Sequence, residues 1–289
     1  LGKANRLISK FHPDIVIGTG GYVCGPLLLA AALRGIPTLI QEQNVVPGIT
    51  NKILSRFVDV VAVGYEEATP HFPNAKQVVY TGNPVRPNVV TANREEARAY
   101  FGLQETQTAI LVAGGSRGAR SINKAMLAVH EHYKGREDIK IIHATGTDEY
   151  SHVCESLGIQ EGEVYSPTSH IVPYLENMDM AMAASDMAIF RSGAIGLAEL
   201  AVRGIPSILI PYPYAAADHQ TFNAKAFVEV GASTMIVDKE LDGTKLLQSV
   251  DAMLEDQECR QRMAQATLQL GKPKAAIEIA TLALSIKKS

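Results

Sequence analysis

The sequence predicts an α/β fold of two doubly wound parallel-sheet domains, the first incomplete at its N-terminus. Short Val- and Ile-rich runs recur between helical patterns without strict alternation, as strands buried on both faces require. A stretch bearing Pro84, Pro87 and two Asn residues, 82–92, interrupts the rhythm and reads as a linker, dividing the chain into domains at 1–90 and 91–289. The series after the linker holds five to six strands, enough for a complete domain, whereas the series before it holds about four.

In chain order, the opening residues read as a helix with no strand before it, followed by strands at 14–17, 38–41, 59–63 and 77–80. Helices follow Gly25 and run around 50–57. A sheet lacking its first strands would expose unpaired edges and apolar faces, so this part reads as the later portion of a Rossmann-like domain. The second series opens with a helix at 93–101, a strand at 108–112, a Gly-rich turn and a helix across 119–133. Strands at 139–143, 163–166, 187–190, 207–210 and 234–237 follow, separated by helical patterns.

The 289 residues are 46% hydrophobic and 20% charged, a mix that builds a sizeable core and excludes whole-chain disorder. A net charge of −3 lacks the footprint of a dedicated nucleic-acid binder. Eight basic and 5 acidic residues precede residue 90, against 19 and 25 after it, so the first part is the more suited to an anionic surface. Apolar stretches such as 26–33 and 205–214 fall short of the ~18 residues that span a bilayer. Cys24, Cys154 and Cys259 are far apart and read as ordinary thiols.

Loop 18–22, Gly-Thr-Gly-Gly-Tyr, lies between a strand and a helix and admits two readings, a ligand loop or a tight turn. Loop 114–120 has the same placement in the second series; Ser116 and the open backbone at Gly114, Gly115 and Gly118 suit a phosphate. It matches neither the P-loop nor G-x-G-x-x-G, which disfavours a nucleotide triphosphatase or an ordinary dinucleotide enzyme. After the strand ending at Phe190, small residues from Ser192 to Gly196 open a helix whose positive end favours a diphosphate.

Glu199, about one turn on, reads either as a ribose-binding carboxylate or as a dipole-stabilising surface one. His219, Gln220 and Asn223 can bond sugar hydroxyls, while Asp218 also suits a helix cap. Gln41, Glu42, Gln43 and Asn44 gather polar side chains at the carboxyl edge of a strand. His71, His130, His143 and His152 have no partner by spacing and read as surface or capped core residues. No D-x-D pair occurs, so a metal-held diphosphate lacks its usual ligands.

The motifs G-T-G-G-Y-V-C-G-P at 18–26, E-Q-N at 42–44, G-N-P-V-R at 82–86, G-G-S-R-G-A-R at 114–120, R-S-G-A at 191–194 with Glu199, and D-H-Q at 218–220 with Asn223 run in order over nearly the whole chain. Together they strongly resemble one family, the bacterial MurG N-acetylglucosaminyltransferases. That family adds GlcNAc to undecaprenyl-pyrophosphoryl-MurNAc-pentapeptide (lipid I), forming lipid II in peptidoglycan synthesis. The resemblance implies a GT-B fold, with UDP-GlcNAc on the C-terminal domain, the lipid acceptor on the N-terminal one, and the final helix packing back on the first domain.

The resemblance also implies residue roles. The backbone of Leu175 would read uracil, with Met178 near the nucleoside. Ser116 and the turn of Ala194, Ile195 and Gly196 would hold the diphosphate; Glu199 would bind ribose; Gln220, His219 and Asn223 would bind GlcNAc. Arg86, Asn44 and Tyr22 match further substrate-facing positions. Arg191 would stabilise charge on the departing UDP, and Glu42 is the second catalytic candidate. No cofactor and no metal is implied, since UDP-GlcNAc is a substrate. The implied partners are UDP-GlcNAc, lipid I, the cytoplasmic face of the inner membrane and other cell-wall synthesis proteins, but no nucleic acid; the implied location is peripheral on that membrane face.

The implied chemistry is one inverting displacement, in which the MurNAc 4-hydroxyl attacks the anomeric carbon through an oxocarbenium-like transition state. Two departures from the family stand out. Gln41 takes the place of the His in H-E-Q-N, and the first glycine loop, G-G-T-G-G-H, whose His is a leading candidate for the base, has no counterpart. Against a complete Rossmann half, ~75–80 residues are lacking, and the chain alone is expected to catalyse poorly. Two other readings are another GT-B nucleotide-sugar enzyme, such as a glycolipid synthase or a UDP-GlcNAc epimerase, and a non-catalytic UDP-sugar-binding fragment.

Overall fold

The computed structural model describes residues 1–287. In chain order the elements are α1 (Gly2–Phe11), β1 (Val16–Gly18), α2 (Cys24–Leu33), β2 (Thr38–Glu42), α3 (Ile49–Leu54), β3 (Val60–Val63), β4 (Val78–Tyr80), α4 (Pro87–Thr91), α5 (Arg94–Tyr100), β5 (Thr108–Ala113), α6 (Arg120–His132) and β6 (Ile139–Ala144). They continue with α7 (Tyr150–Ser156), β7 (Ser169–Val172), α8 (Met178–Ala184), β8 (Met187–Phe190), α9 (Ala194–Arg203), β9 (Ser207–Leu209), α10 (His219–Glu229), β10 (Ser233–Met235), α11 (Gly243–Glu255), α12 (Gln257–Leu270) and α13 (Ala275–Ser285). The residues divide into two compact units. Unit 1 holds Leu1–Val85, Tyr214–Asn223 and the segment from Lys272 onward, and unit 2 holds Arg86–Pro213 and Ala224–Gly271. The division is thus not a single cut near residue 90.

Unit 1 is built on a parallel sheet in the order β1-β2-β3-β4. Every residue of β2 and β3 is buried, which is why both read as unbroken apolar runs. One face packs Ile40, Val61 and Val63 with Leu28, Ala31 and Leu54, and α1 adds Ala4 and Ile8. The other face packs Leu39, Val60 and Ala62 against Ile279 and Ala283 of α13. Helix α2 is rich in Leu and Ala and carries Pro26 in its first turn, where a missing N–H costs nothing. It stops where Gly35, at φ +70°, bonds back to Ala32 O at 3.0 Å.

Unit 2 carries a six-stranded parallel sheet in the order β10-β9-β8-β5-β6-β7. The chain leaves β5 towards β6 and β7, then returns to the other side of β5 with β8. The reversal puts a switch point between the carboxyl ends of β5 and β8, where open α/β sheets bind ligands. Ile110, Val112, Ile141 and Ile189 pack under Ile122, Met126 and Val129 of α6, with Leu246 and Val250 of α11 completing the layer. Asp242 and Asp256 cap α11 and α12, accepting from Lys245 N at 2.8 Å and Cys259 N at 2.7 Å.

Two expectations need correction. The strand expected at 163–166 is a loop in which Val164 is exposed, and the strand is β7, held to β6 from Ile141↔Ser169 to Ala144↔Val172. Its approach is polar, and the buried Ser166 and Thr168 satisfy each other at 2.8 Å, so tertiary pairing decides what hydropathy does not mark. The expected linker also contains α4, with Pro87 at its start.

His130 on α6 and His143 on β6 are fully buried, with Nε2 of the first 3.0 Å from Nδ1 of the second. Burial pushes His130 down to about 4; burial, and then its neighbour His130, holds His143 well below the usual range. Both rings are therefore neutral in the fold but gain protons on unfolding below about pH 6.5. Stability is complete above that value and is lost as pH falls towards the folded values, by about 1.4 kcal/mol per pH unit for each ring that the unfolded chain alone protonates. Hydrogen-exchange protection of β5 and β6 amides should drop between pH 7 and pH 5; protection independent of pH over that interval would mean that the rings are not held neutral.

Candidate functional site

At the switch point of unit 2, loop 114–119 follows β5 and leads into α6. Gly115 and Gly118 take φ of +100° and +85°, and Gly118 N donates to Gly115 O at 2.9 Å, which leaves Ser116 and Arg117 exposed at the tip. A Cβ on Gly118 would sit 2.1 Å from Thr145 O, so this position requires glycine for space as well as for conformation. On the other side of the switch point, Gly193 precedes α9 without a side-chain cap. The first N–H groups of that helix, at Ala194, Ile195 and Gly196, are thus of the kind that bind an anion.

Glu199, buried in the second turn of α9, accepts from Arg86 Nε at 2.8 Å, while the Arg86 side chain is half exposed. The hydrogen bond that Arg86 donates to Glu199 is the main cause that raises the pKa of Arg86, and Asp179 and Tyr174 add to it through charge. The structure therefore gathers Glu199 and Arg86 with the segment bearing Leu175 and Met178. Leu175 buries its side chain in the loop after β7, so a base recognised there would be read by backbone; Met178 is the first residue of α8.

Arg191, immediately after β8, is not the open cation that the sequence suggests. Its Nη1 pairs with Asp238 Oδ2 at 2.5 Å and donates to the carbonyls of Ile210 and Pro211 at 3.2 and 3.1 Å. Its Nη2 donates to Ser121 Oγ at 2.9 Å, and Ser121 in turn donates to Asp238 at 2.6 Å. The side chain is 12% exposed and its charge is matched by Asp238. It clamps the ends of β8 and β9 to the start of α6. Asp238 and Ser121 lie 47 and 70 residues from Arg191 in sequence, so no local pattern announces them.

In unit 1, Glu42 ends β2 and is buried. Its Oε1 accepts from Asn44 N and Nδ2 at 2.9 and 3.4 Å, and its Oε2 from Gly48 N and Asn51 Nδ2 at 3.2 and 2.7 Å. A carboxylate surrounded by donors organises loop 43–48. Asn83, within the G-N-P-V-R motif but given no role by the sequence, accepts from Gln41 Nε2 and donates to Gln43 O, both at 2.9 Å. Asn44 Oδ1 accepts from Asn223 Nδ2 at 3.0 Å, and Asn223 Oδ1 accepts from Val45 N at 3.0 Å, so both asparagines help hold this loop.

His219 and Gln220 open α10 within unit 1. His219 Nδ1 lies 2.7 Å from Ala216 O, so Nδ1 carries the proton and donates. Ala217 and Asp218, just before it, hold the left-handed conformation at φ 52° and 53°, and Asp218 accepts from the Thr221 hydroxyl. Tyr22, on the loop after β1, is 79% exposed. Among the described residues, no group of three or more His, Cys, Asp or Glu side chains is placed to hold a metal ion, and no helix is long and apolar enough to cross a membrane.

Replacing Glu42 with Gln should cost about 1–3 kcal/mol, because an NH2 would face donors; urea denaturation reads this, and unchanged stability with reduced turnover would restore a catalytic role. Replacing Arg191 with Met strands Asp238 and two carbonyls and should cost about 3–5 kcal/mol. A charge-stabilising role alone would instead leave the denaturation midpoint in place.

The glycosyltransferase family 28 C-terminal domain matches residues 109–279, and the N-terminal domain of that family matches residues 1–63. A protein of Desulforamulus reducens named UDP-N-acetylglucosamine–N-acetylmuramyl-(pentapeptide) pyrophosphoryl-undecaprenol N-acetylglucosamine transferase is 47% identical over 279 residues, covering 96% of this chain and 75% of the relative. A protein of the same name from Halothermothrix orenii is 44% identical over 274 residues, covering 94% and 74%. The crystal structure of MurG from Acinetobacter baumannii superposes with a TM-score of 0.79 at 29% identity, covering 98% of this chain and 77% of the other. The UDP-GlcNAc 2-epimerase of Neisseria meningitidis bound to UDP-GlcNAc gives 0.71 at 16% identity over 98% and 80%, a likeness of fold alone.

Proposed function

The chain belongs to glycosyltransferase family 28, and from this premise we propose that it transfers GlcNAc from UDP-GlcNAc to the MurNAc 4-hydroxyl of lipid I, forming lipid II. The observation that carries the reading is identity of 47% with a transferase of that name over 96% of this chain. In unit 2, the diphosphate sits between Ser116 and the N–H groups of Ala194, Ile195 and Gly196, where the helix dipole favours it. Glu199 accepts from the ribose hydroxyls, with Arg86 as its counter-charge, and the Leu175 backbone reads the uracil above Met178. His219 and Gln220 serve the GlcNAc, Asn223 holds the loop that bears Asn44, and Tyr22 and Asn44 serve substrate-facing loops.

In the reaction, the acceptor oxygen forms a bond to the anomeric carbon as the bond from that carbon to the diphosphate breaks with inversion. UDP departs with the electron pair, and the hydroxyl proton passes to a base. Charge grows on the diphosphate, so preorganised N–H groups contribute most as the bond breaks. Arg191 acts through the loops it clamps. No metal or cofactor takes part in this reading. The protein works peripherally at the cytoplasmic face of the inner membrane, where lipid I presents its headgroup, among other proteins of cell-wall synthesis.

Calorimetry with UDP and UDP-GlcNAc tests the donor site. Both should bind, and Glu199→Ala should weaken both at least tenfold, since two ribose hydroxyl bonds are lost at about 1.5–3 kcal/mol for each bond to a charged group. Product from a lipid I analogue should carry one added GlcNAc in inverted linkage. No binding of UDP would overturn the reading.

A further inference from the structure

We infer that Asn123 is the positioning residue of the glycine loop, and that its orientation is imposed through a one-way hydrogen-bond chain from Ser169 through His130 and His143. This rests on the reading that loop 114–119 holds the diphosphate of the donor. Asn123 lies in α6, one turn beyond the loop, with its backbone N bonded to Ala119 O at 2.9 Å. Its Nδ2 donates to Thr145 O at 2.8 Å.

That bond determines every proton behind it. With Nδ2 turned to a carbonyl, Oδ1 must be the atom facing His143 Nε2 at 3.1 Å, so Nε2 carries a proton and donates. His143 Nδ1 is then a lone pair, which accepts from His130 Nε2–H at 3.0 Å. His130 Nδ1 is therefore also a lone pair, which accepts from the Ser169 hydroxyl at 3.0 Å. Asn123, His130, His143, Thr145 and Ser169 are all buried, and each ring nitrogen has one partner in one role. Reversing any member would set donor against donor or acceptor against acceptor inside the core, which is costly where water cannot compensate.

The forward end of the chain is the site. Thr145 O, held by Asn123, is the atom that a Cβ on Gly118 would meet at 2.1 Å. A Cβ on Gly146 would in turn lie 2.1 Å from Gly118 N and 2.4 Å from Arg117 C. The backbone of the loop that presents Ser116 thus rests directly on Thr145 and Gly146, and a shift of that carbonyl is transmitted to the loop without a side chain to absorb it. Neither histidine touches the ligand; the chain acts only by fixing the carbonyl.

The test compares ligands with and without phosphate. Asn123→Asp keeps the shape and the acceptor towards His143 but sets an oxygen against Thr145 O. UDP affinity should fall at least tenfold in this variant, while uridine affinity stays within twofold. His143→Gln keeps an N–H where Nε2 lies and should retain UDP affinity within threefold, whereas His143→Asn, which lacks that donor, should behave as Asn123→Asp does. Equal losses for UDP and uridine, or wild-type UDP affinity in Asn123→Asp, would overturn the inference. Two readouts are independent of ligand. Nitrogen-15 shifts should report Nε2–H tautomers for both rings, and a proton on Nδ1 of His143 would refute the chain. The Gly118 amide should exchange at least tenfold faster in Asn123→Asp, and an unchanged rate would refute the positioning role. If wild-type protein binds no UDP, the functional reading fails, and these two measurements still decide the inference.

Discussion

At the carboxyl edge of the six-stranded sheet, backbone lies directly on backbone. Gly118 and Gly146 approach so closely that no side chain fits at either. Loop 114–119 has its shape because of this contact. Glycine at Gly115 and Gly118 supplies the positive φ, the neighbouring strand end supplies the floor, and α6 begins where the loop has been aimed. The order of strands then brings the small-residue start of α9 beside it, since the chain returns across β5 to make β8. Two N-terminal helix ends converge on one crevice as a consequence of topology.

Arg191 and Glu42 both tie loop backbone to the edges of the sheets. Arg191 has four acceptors and a matched charge, and Glu42 has four donors. Glu42 is buried and Arg191 largely so, where an unpaired charge would be costly, and each draws in loop backbone that would otherwise lack partners. Glu199 differs. It is buried too, but its partner Arg86 is half exposed, so this pair stands at the boundary between scaffold and solvent, where a polar ligand can share it.

Much of the fold was legible in the chain because burial on both faces leaves a simple mark. The runs Thr38–Glu42, Val60–Val63, Thr108–Ala113 and Met187–Phe190 are almost wholly buried, and their Val and Ile content shows it. Strand β7 left no such mark, since it is an edge strand entered through Ser and Thr whose hydroxyls satisfy one another. The glycine-bearing turns between strands and helices were legible for a similar reason, because positive φ and close backbone approach leave glycine as their mark.

By itself, the sequence determined the α/β class, the ends of the main strands, the places of the glycine turns and the resemblance that led to the family. These follow from local composition, from glycine's conformational freedom and from motifs whose order survives without coordinates. Only the tertiary structure decided which polar residues are committed elsewhere: Arg191 to Asp238, Glu42 to its own loop, and His130 and His143 to each other. The partners of Arg191 and the two histidines, 13 to 70 residues apart, meet only when strands and helices pack, and hydrogen-bond direction inside a core is set by all the members of a network at once.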